Sequence, residues 1–117
     1  IVSRTPSKET ISYEECRLRH SDAKIIVNTT PVGMYPNTNG SPLDLTPFKN
    51  CEAVLDLIYN PLHTKLTLQA KELGIQSVNG LLMLVAQAKQ AAEYFLAQEF
   101  DDAVIEPIYQ ELLSGFL

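Results

Sequence analysis

The stretch Lys24-Ile25-Ile26-Val27-Asn28-Thr29-Thr30-Pro31 is a short β-branched run that ends in polar residues and a proline. Such a run is typical of a strand buried in a parallel sheet, and the residues that follow it mark its end. Upstream, Ser12 and Glu15 have the spacing of a capping box, which predicts a helix over residues 11–20. A strand at residues 1–2 precedes this helix. The order strand, helix, strand predicts a β-α-β unit.

The remainder of the chain continues this alternation of strands and helices. The sequence predicts a long ordered loop over residues 30–50, a strand over 53–57, a helix beginning at Asn60-Pro61 and stopping at Gly74, and a strand over 75–78. An apolar and therefore central helix is predicted after Gly80. The last helix is predicted to be amphipathic, with an apolar stripe formed by Ile105, Ile108, Tyr109, Leu112, Leu113 and Phe116. This order predicts an α/β fold with a Rossmann-like, doubly wound parallel sheet.

Ligands of such sheets lie beyond the carboxyl ends of the strands. Here those ends are residues 3–5, 28–30, 56–59 and 79–80, and we expect all four to converge on one edge. Rossmann sheets also need a glycine-rich turn that brings backbone N–H groups to a pyrophosphate, and these 117 residues contain none. The sheet is therefore expected to be incomplete, with its first strand, glycine turn and first helix preceding residue 1.

Two cations follow the first predicted strand. In a dinucleotide-binding sheet an acidic residue at this position selects NAD, whereas an arginine admits the 2′-phosphate of NADP. The residue here is Arg4, with Lys8 nearby and no Asp or Glu among residues 1–7. NADP is thus the expected cofactor. The alternative is that both cations are solvated surface groups, as most long charged side chains are.

Composition excludes several classes of function. A net charge of −5 and the lack of a Lys/Arg cluster disfavour a nucleic-acid surface. Cys16 and Cys51 have no motif spacing and are expected to be free thiols, and His20 and His63 lack a second ligand at metal-site spacing, so no metal is expected. With no signal peptide and no membrane span, we expect a soluble cytoplasmic protein.

Gln87 lies in the apolar run Gly80-Leu81-Leu82-Met83-Leu84-Val85-Ala86-Gln87. A buried or half-buried amide in such surroundings needs a hydrogen-bond partner. That partner is either another protein group, which would make Gln87 a satisfied core residue, or a ligand.

Four motifs in register resemble the C-terminal half of the shikimate dehydrogenase family. They are Ser3-Arg4-Thr5, Asn28-Thr29-Thr30-Pro31-Val32-Gly33-Met34, Asp56-Leu57-Ile58-Tyr59-Asn60-Pro61, and the run from Gly80 to Gln87. The family reduces 3-dehydroshikimate to shikimate with NADPH in the cytosolic pathway to chorismate and the aromatic amino acids. The resemblance covers nearly the whole chain.

The resemblance implies a role for nine residues. Ser3 would lie beside the ribose, Arg4, Thr5 and Lys8 would hold the 2′-phosphate of NADP, Thr30 and Leu57 would line the cofactor, the Gly80 backbone would approach the nicotinamide, and Tyr59 and Gln87 would face shikimate or 3-dehydroshikimate. Two positions depart from the usual family pattern, since Ser3 replaces an asparagine and Asn79 an acidic residue. Both retain a short hydrogen-bonding side chain.

The resemblance also implies a division of the chain into a partial NADP-binding domain over residues 1–103 and a C-terminal helix over 104–117 that packs toward an absent N-terminal substrate domain. That domain would carry the catalytic lysine and aspartate, so no catalytic residue is expected in this chain and the fragment alone should be inactive. Its uncovered apolar surface makes a homo-oligomer plausible. Two alternatives stay open: a catalytically silent α/β interaction module, and a quinate or shikimate dehydrogenase that prefers NAD.

Overall fold

Three parallel strands form the sheet at the centre of the chain. The computed structural model describes residues 1–116, in which strands β1 (Ile25–Asn28), β2 (Ala53–Asp56) and β3 (Gln76–Val78) lie in the order β1-β2-β3. Helix α1 (Tyr13–Arg19) precedes β1, and α2 (Lys65–Glu72) connects β2 to β3. The α/β class and the parallel sheet are confirmed. Residues 29–52 connect β1 to β2 without a helix or strand, as the long loop predicted over residues 30–50 requires.

One face of the sheet is covered and the other is not. Val54 is fully buried on the covered face, where the core residues are Leu45, Phe48, Cys51, Val54, Leu66 and Ala70. On the opposite face the register aligns Val27, Leu55 and Val78, and all three side chains are exposed. The expectation that the β1 run is wholly buried is therefore wrong for Val27 and Ile25, because helix and loop cover the sheet on one side only.

The predicted strand at residues 1–2 does not join the sheet. Val2 makes an isolated parallel bridge with Ile11, and the Ser3 amide donates to the Ile11 carbonyl at 2.9 Å. The helix predicted for residues 11–20 starts at Tyr13 instead of residue 11, since Ile11 is used in this bridge. Its cap is as predicted: the Ser12 hydroxyl accepts from the Glu15 amide at 3.1 Å.

Helix α2 begins later than the sequence predicts. Asn60-Pro61 does not start it, because the side chain of Thr64 accepts from the Thr67 amide at 3.3 Å and so provides the N-cap. Gly74 follows the helix with φ of +73°, a backbone conformation that favours glycine, which confirms the predicted stop.

The long loop is fastened to α2 by a side chain. The amide of Gln69 accepts from the Leu45 N–H at 3.0 Å and donates to Asp44 at 2.6 Å. Hydrogen bonds from Thr46, and then from Gln69, hold the pKa of Asp44 below its usual value. These bonds keep Leu45 and Phe48 in the core although residues 29–52 contain no helix or strand.

Helices α3 (Leu81–Leu96) and α4 (Ile105–Phe116) form a pair that extends from the sheet. Among the helices and strands of residues 1–116, α3 packs against α4 alone, and only Leu81 and Val85 of α3 are buried. Phe95 is 90% exposed. The radius of gyration, 16.5 Å, exceeds the value of about 13 Å typical of a compact domain of this length. The prediction that α3 is central is therefore wrong for the described chain.

An ion cluster joins the middle of α3 to the turn that precedes α4. Lys89 on α3 pairs with Glu93 and, at 2.9 Å, with Asp102 in the 3₁₀ turn Asp102–Val104 before α4. Hydrogen bonds to Glu93 and then to Asp102 raise the pKa of Lys89. The apolar stripe predicted on α4 lies partly against α3, and residue 117 of the predicted helix over 104–117 lies outside the described part of the chain. No helix within residues 1–116 is both long and apolar enough to cross a bilayer.

Replacing Leu66 with alanine should lower the free energy of unfolding by about 2–5 kcal/mol, because this fully buried side chain fills the core between α2 and β2. Urea unfolding measures the change. Leu68→Ala on the same helix is the control, since Leu68 is 46% exposed and surface substitutions usually change stability by about 0.5 kcal/mol or less. Equal losses in the two variants would contradict the assigned core.

Candidate functional site

The carboxyl ends of β1 and β2 are joined by two buried side chains that occupy matching positions in the register. Asn28 and Asp56 are 3% and 2% exposed, and the Asn28 amide donates to the Asp56 carboxylate at 3.0 Å. The same carboxylate accepts from the Ile58 N–H at 3.1 Å and from the Thr64 hydroxyl at 2.6 Å. Strand β1, the segment after β2 and the start of α2 are thereby held as one unit.

Thr30 is fixed by the same group of residues. Its hydroxyl and its N–H both donate to the side-chain oxygen of Asn28, at 2.7 and 3.0 Å, and its hydroxyl accepts from the Val32 N–H at 3.2 Å. A hydroxyl has one proton, and here it is committed to Asn28. Thr30 can therefore offer a ligand van der Waals contact or a remaining lone pair, but not a hydrogen-bond donor.

The third strand end reaches the site through a close backbone contact. The Gly80 N–H donates to the Ile58 carbonyl at 3.0 Å, and a Cβ atom at position 80 would lie 1.9 Å from the Leu57 carbonyl oxygen. Gly80 has φ of −80°, an ordinary conformation for any residue. Glycine is needed here for the close approach rather than for positive φ. The side chain of Asn79 then accepts from the Leu81 N–H at 3.0 Å and supports the start of α3.

A hollow of about 410 Å³ opens beside these strand ends. Its volume is within the range of small-molecule sites, roughly 300–1,000 Å³. It is bordered by Thr29, Thr30, Pro31, Met34, Tyr35, Leu57, Ile58, Tyr59 and Asn60. Three of the residues singled out from the sequence, Thr30, Leu57 and Tyr59, thus share one cavity, and Tyr59 is 39% exposed.

A second and larger cavity, of about 890 Å³, separates the N-terminal segment from β1. Ile1 and Val2 border it on one side and residues 25–30 on the other, so Thr30 lies on both cavities. Because β1 has no neighbour along this edge among the described strands, the cavity marks an open side of the sheet.

Arg4 and Lys8 follow the N-terminal residues that border this cavity, and both are exposed. Ser3 accepts from the Thr5 N–H at 3.2 Å, which places Arg4 at the tip of a short turn. A second turn, in which the Ser7 N–H donates to the Thr10 hydroxyl at 2.9 Å, carries Lys8. Within residues 1–116 neither cation makes an ion pair, so both remain available to an anionic ligand.

Gln87 is separate from the hollow. Its side chain is exposed on α3, seven residues after Gly80, which corresponds to a rise of roughly 10 Å along the helix. The expectation of a buried or half-buried amide is wrong, because Gln87 lies on a face of α3 that the described residues do not cover. Neither of the two cavities is bordered by Arg4 or by Gln87.

Sequence reasoning missed the residues that hold the strand ends in place. The motifs contain Asn28 and Asp56 without predicting a role for either, and they do not predict that Met34 and Tyr35 border the hollow. One signal was available: a polar residue stands at the last position of each of two apolar strands. The pairing itself requires the register between strands that are 28 residues apart.

Fold and site together define a partial Rossmann-like α/β domain with a ligand-sized hollow at the carboxyl edge of its parallel sheet. Sequence and structure comparisons both place the chain among the shikimate dehydrogenases, as the motifs indicated. It spans between 34% and 46% of the length of the curated relatives that it matches. No protein-family model matches the chain.

A shikimate dehydrogenase (NADP(+)) from Clostridium perfringens strain SM101 is 42% identical over 106 residues, which are 91% of this chain and 39% of that protein. Shikimate dehydrogenase 1 from Peptoclostridium difficile has a TM-score of 0.87 at 38% identity and covers 99% of this chain, with 44% of its own length matched. The shikimate 5-dehydrogenase from Thermus thermophilus in complex with NADP(H) and shikimate has a TM-score of 0.68 at 29% identity, over 87% of this chain and 37% of its own.

Replacing Gly80 with alanine should destabilise the fold by about 1–3 kcal/mol or more, since the added methyl group would overlap the Leu57 carbonyl and only a backbone shift can relieve the contact. Gly115→Ala is the matched control. That position has open space around it within α4, where alanine is favoured by roughly 0.5–1 kcal/mol. Urea unfolding of both variants checks the prediction, which is refuted if Gly80→Ala unfolds like the parent chain.

Proposed function

We propose that this chain forms the cofactor-binding part of an NADP-dependent shikimate dehydrogenase that reduces 3-dehydroshikimate to shikimate in the cytoplasm. The observation that carries the proposal is the similarity to an NADP(+)-dependent relative at 42% identity across 91% of the chain. The shared hollow bordered by Thr30, Leu57 and Tyr59 supports it. Catalysis would also require the part of the relatives that these residues do not match.

The residues present fit NADP at its phosphorylated end. A 2′-phosphate is a compact dianion, for which an arginine and a lysine with no competing ion pair are suitable ligands. Arg4 and Lys8 meet this condition, and the hydroxyl groups of Ser3 and Thr5 are exposed or half-exposed beside them. Bound NADPH would supply the hydride.

The rest of the proposed cofactor path follows the carboxyl edge of the sheet. Thr30 lies on both cavities, so it stands between the N-terminal turn and the hollow. Leu57 offers an apolar wall, and its carbonyl contacts Gly80. We assign the cofactor to this edge, with its nicotinamide end toward Leu57 and Gly80.

Substrate would be oriented by the phenol of Tyr59 and the amide of Gln87. Both groups bind a carboxylate or ring hydroxyl without adding charge. Hydride transfer needs the carbonyl held against the nicotinamide, with a proton donor at the developing alkoxide. The chain's own contribution is orientation, and we assign the proton transfer to the catalytic lysine and aspartate of the substrate domain.

In the complete enzyme, Arg4→Ala should raise the KM for NADPH by about tenfold or more and leave the KM for NADH nearly unchanged. The reason is that a hydrogen bond to a charged group contributes about 1.5–3 kcal/mol and NADH lacks the 2′-phosphate. Steady-state kinetics with both cofactors measure the change. Arg19→Ala is the control, because Arg19 is an exposed cation on α1 that pairs with Glu15.

Equal losses with NADPH and NADH would remove the 2′-phosphate assignment. A parent enzyme that prefers NADH would favour the second candidate, a quinate or shikimate dehydrogenase that uses NAD. One observation supports testing it: the Corynebacterium glutamicum quinate dehydrogenase in complex with NAD shares the fold with a TM-score of 0.73 at 28% identity, over 90% of this chain and 36% of its own.

Gln87→Ala should raise the KM for shikimate several-fold, roughly 2- to 12-fold, because a neutral hydrogen bond contributes about 0.5–1.5 kcal/mol. Binding of NADPH, measured by calorimetric titration, should not change. Gln98→Ala serves as the matched control, since Gln98 is an exposed amide beyond the end of α3. The assignment of Gln87 is refuted if NADPH binding weakens as much as shikimate binding.

A further inference from the structure

Asp56 is a buried charged group for which the proposed mechanism has no use. It is 2% exposed, and within residues 1–116 no cation pairs with it. Burying a carboxylate is costly unless its oxygens are fully hydrogen-bonded. Asp56 meets that requirement through Asn28, the Ile58 N–H and Thr64, at 3.0, 3.1 and 2.6 Å.

Each of these three donors belongs to a segment that forms the site. Asn28 lies two residues before Thr30, which borders both cavities. Ile58 stands between Leu57 and Tyr59 in the hollow, and its carbonyl accepts from the Gly80 N–H at 3.0 Å. Thr64 caps α2. The carboxylate therefore connects the ends of β1 and β2 to the start of α2, and the end of β3 joins them through the Ile58 carbonyl.

The carboxylate also determines which way the Asn28 amide faces. An ionised carboxylate only accepts hydrogen bonds, so it must meet the NH₂ group of Asn28. The amide oxygen then faces Thr30 and receives both its N–H and its hydroxyl. The reversed amide would place its NH₂ group against the Thr30 N–H, donor against donor. Asp56 thus fixes Thr30 through an intermediate side chain.

We propose that Asp56 is a positioning residue for the cofactor edge, which holds Thr30 in place through Asn28 and holds the Leu57 to Tyr59 segment through the Ile58 N–H. Asp56 touches no ligand itself, since it borders neither cavity. The consequence for NADPH rests on the proposed function, whereas the effect on Thr30 does not.

The direct test is amide hydrogen exchange of Thr30 in the complete enzyme and its Asp56→Ala variant. The Thr30 amide should exchange at least about tenfold faster in the variant, which corresponds to about 1.4 kcal/mol. The rate is expressed relative to the Val54 amide in the centre of β2, which reports general opening of the fold. In Asp56→Asn, one oxygen still accepts from Asn28 and Ile58, so the protection of Thr30 should be largely restored.

The matched control is Thr67→Val. It removes a buried hydroxyl at the far end of the same cluster, where Thr67 bonds only to Thr64. This variant should lose stability without faster relative exchange at Thr30. If Asp56→Ala does not fold, Asn28→Ala replaces it, since it removes the intermediate amide and leaves the carboxylate bonded to Ile58 and Thr64.

Kinetics provide the second measurement. Asp56→Ala and Asn28→Ala should each raise the KM for NADPH several-fold with a smaller change in kcat. The double variant should be no worse than Asp56→Ala alone, because the contribution of Asn28 depends on its hydrogen bond to Asp56. Unchanged relative exchange at Thr30, an equal response in Thr67→Val, or additive effects in the double variant would each overturn the proposal. A parent enzyme without dehydrogenase activity would instead refute the proposed function, and the exchange measurement would still decide the role of Asp56.

Discussion

The hydrogen bond between Asn28 and Asp56 is the interaction on which the site depends. It joins the last residues of two parallel strands in register, and its two side chains pass the constraint to Thr30, to the segment after β2 and to the start of α2. A buried carboxylate has few acceptable arrangements, because each oxygen needs donors and the interior offers no water to replace them. Burying Asp56 costs free energy unless its donors are well placed, and this requirement closely restricts the positions of the groups around it.

A steric constraint adds the third strand end. The Gly80 backbone lies against the Leu57 carbonyl so closely that no side chain fits between them. The hydrogen bond between Asn28 and Asp56 therefore connects the ends of β1 and β2. The close backbone contact that glycine permits at position 80 connects the end of β3 to the same region. The hollow beside Thr30, Leu57 and Tyr59 is the space left at this junction, at the edge where parallel sheets usually bind ligands.

Two parts of the described structure leave apolar side chains exposed. One sheet face presents Val27, Leu55 and Val78, and α3 presents Phe95, yet the sequence is apolar at these positions as if they were buried. The chain spans less than half the length of the curated relatives that it matches. Exposed apolar surface of this kind is typical of an interaction surface, and Gln87 is exposed on the same helix as Phe95 although the composition of that helix predicted a buried position.

Local chemistry determined much of this protein. The cap at Ser12, the stop at Gly74, the three sheet strands and the helix-free loop each depend on residues close in sequence, so they could be predicted within a residue or two. The motifs also sufficed to recognise the shikimate dehydrogenase family. Only the tertiary structure decided that glycine at position 80 serves close contact rather than positive φ, and that Asp56 orients Asn28. These features arise where segments distant in sequence meet, and no local pattern encodes which buried donor will face which acceptor.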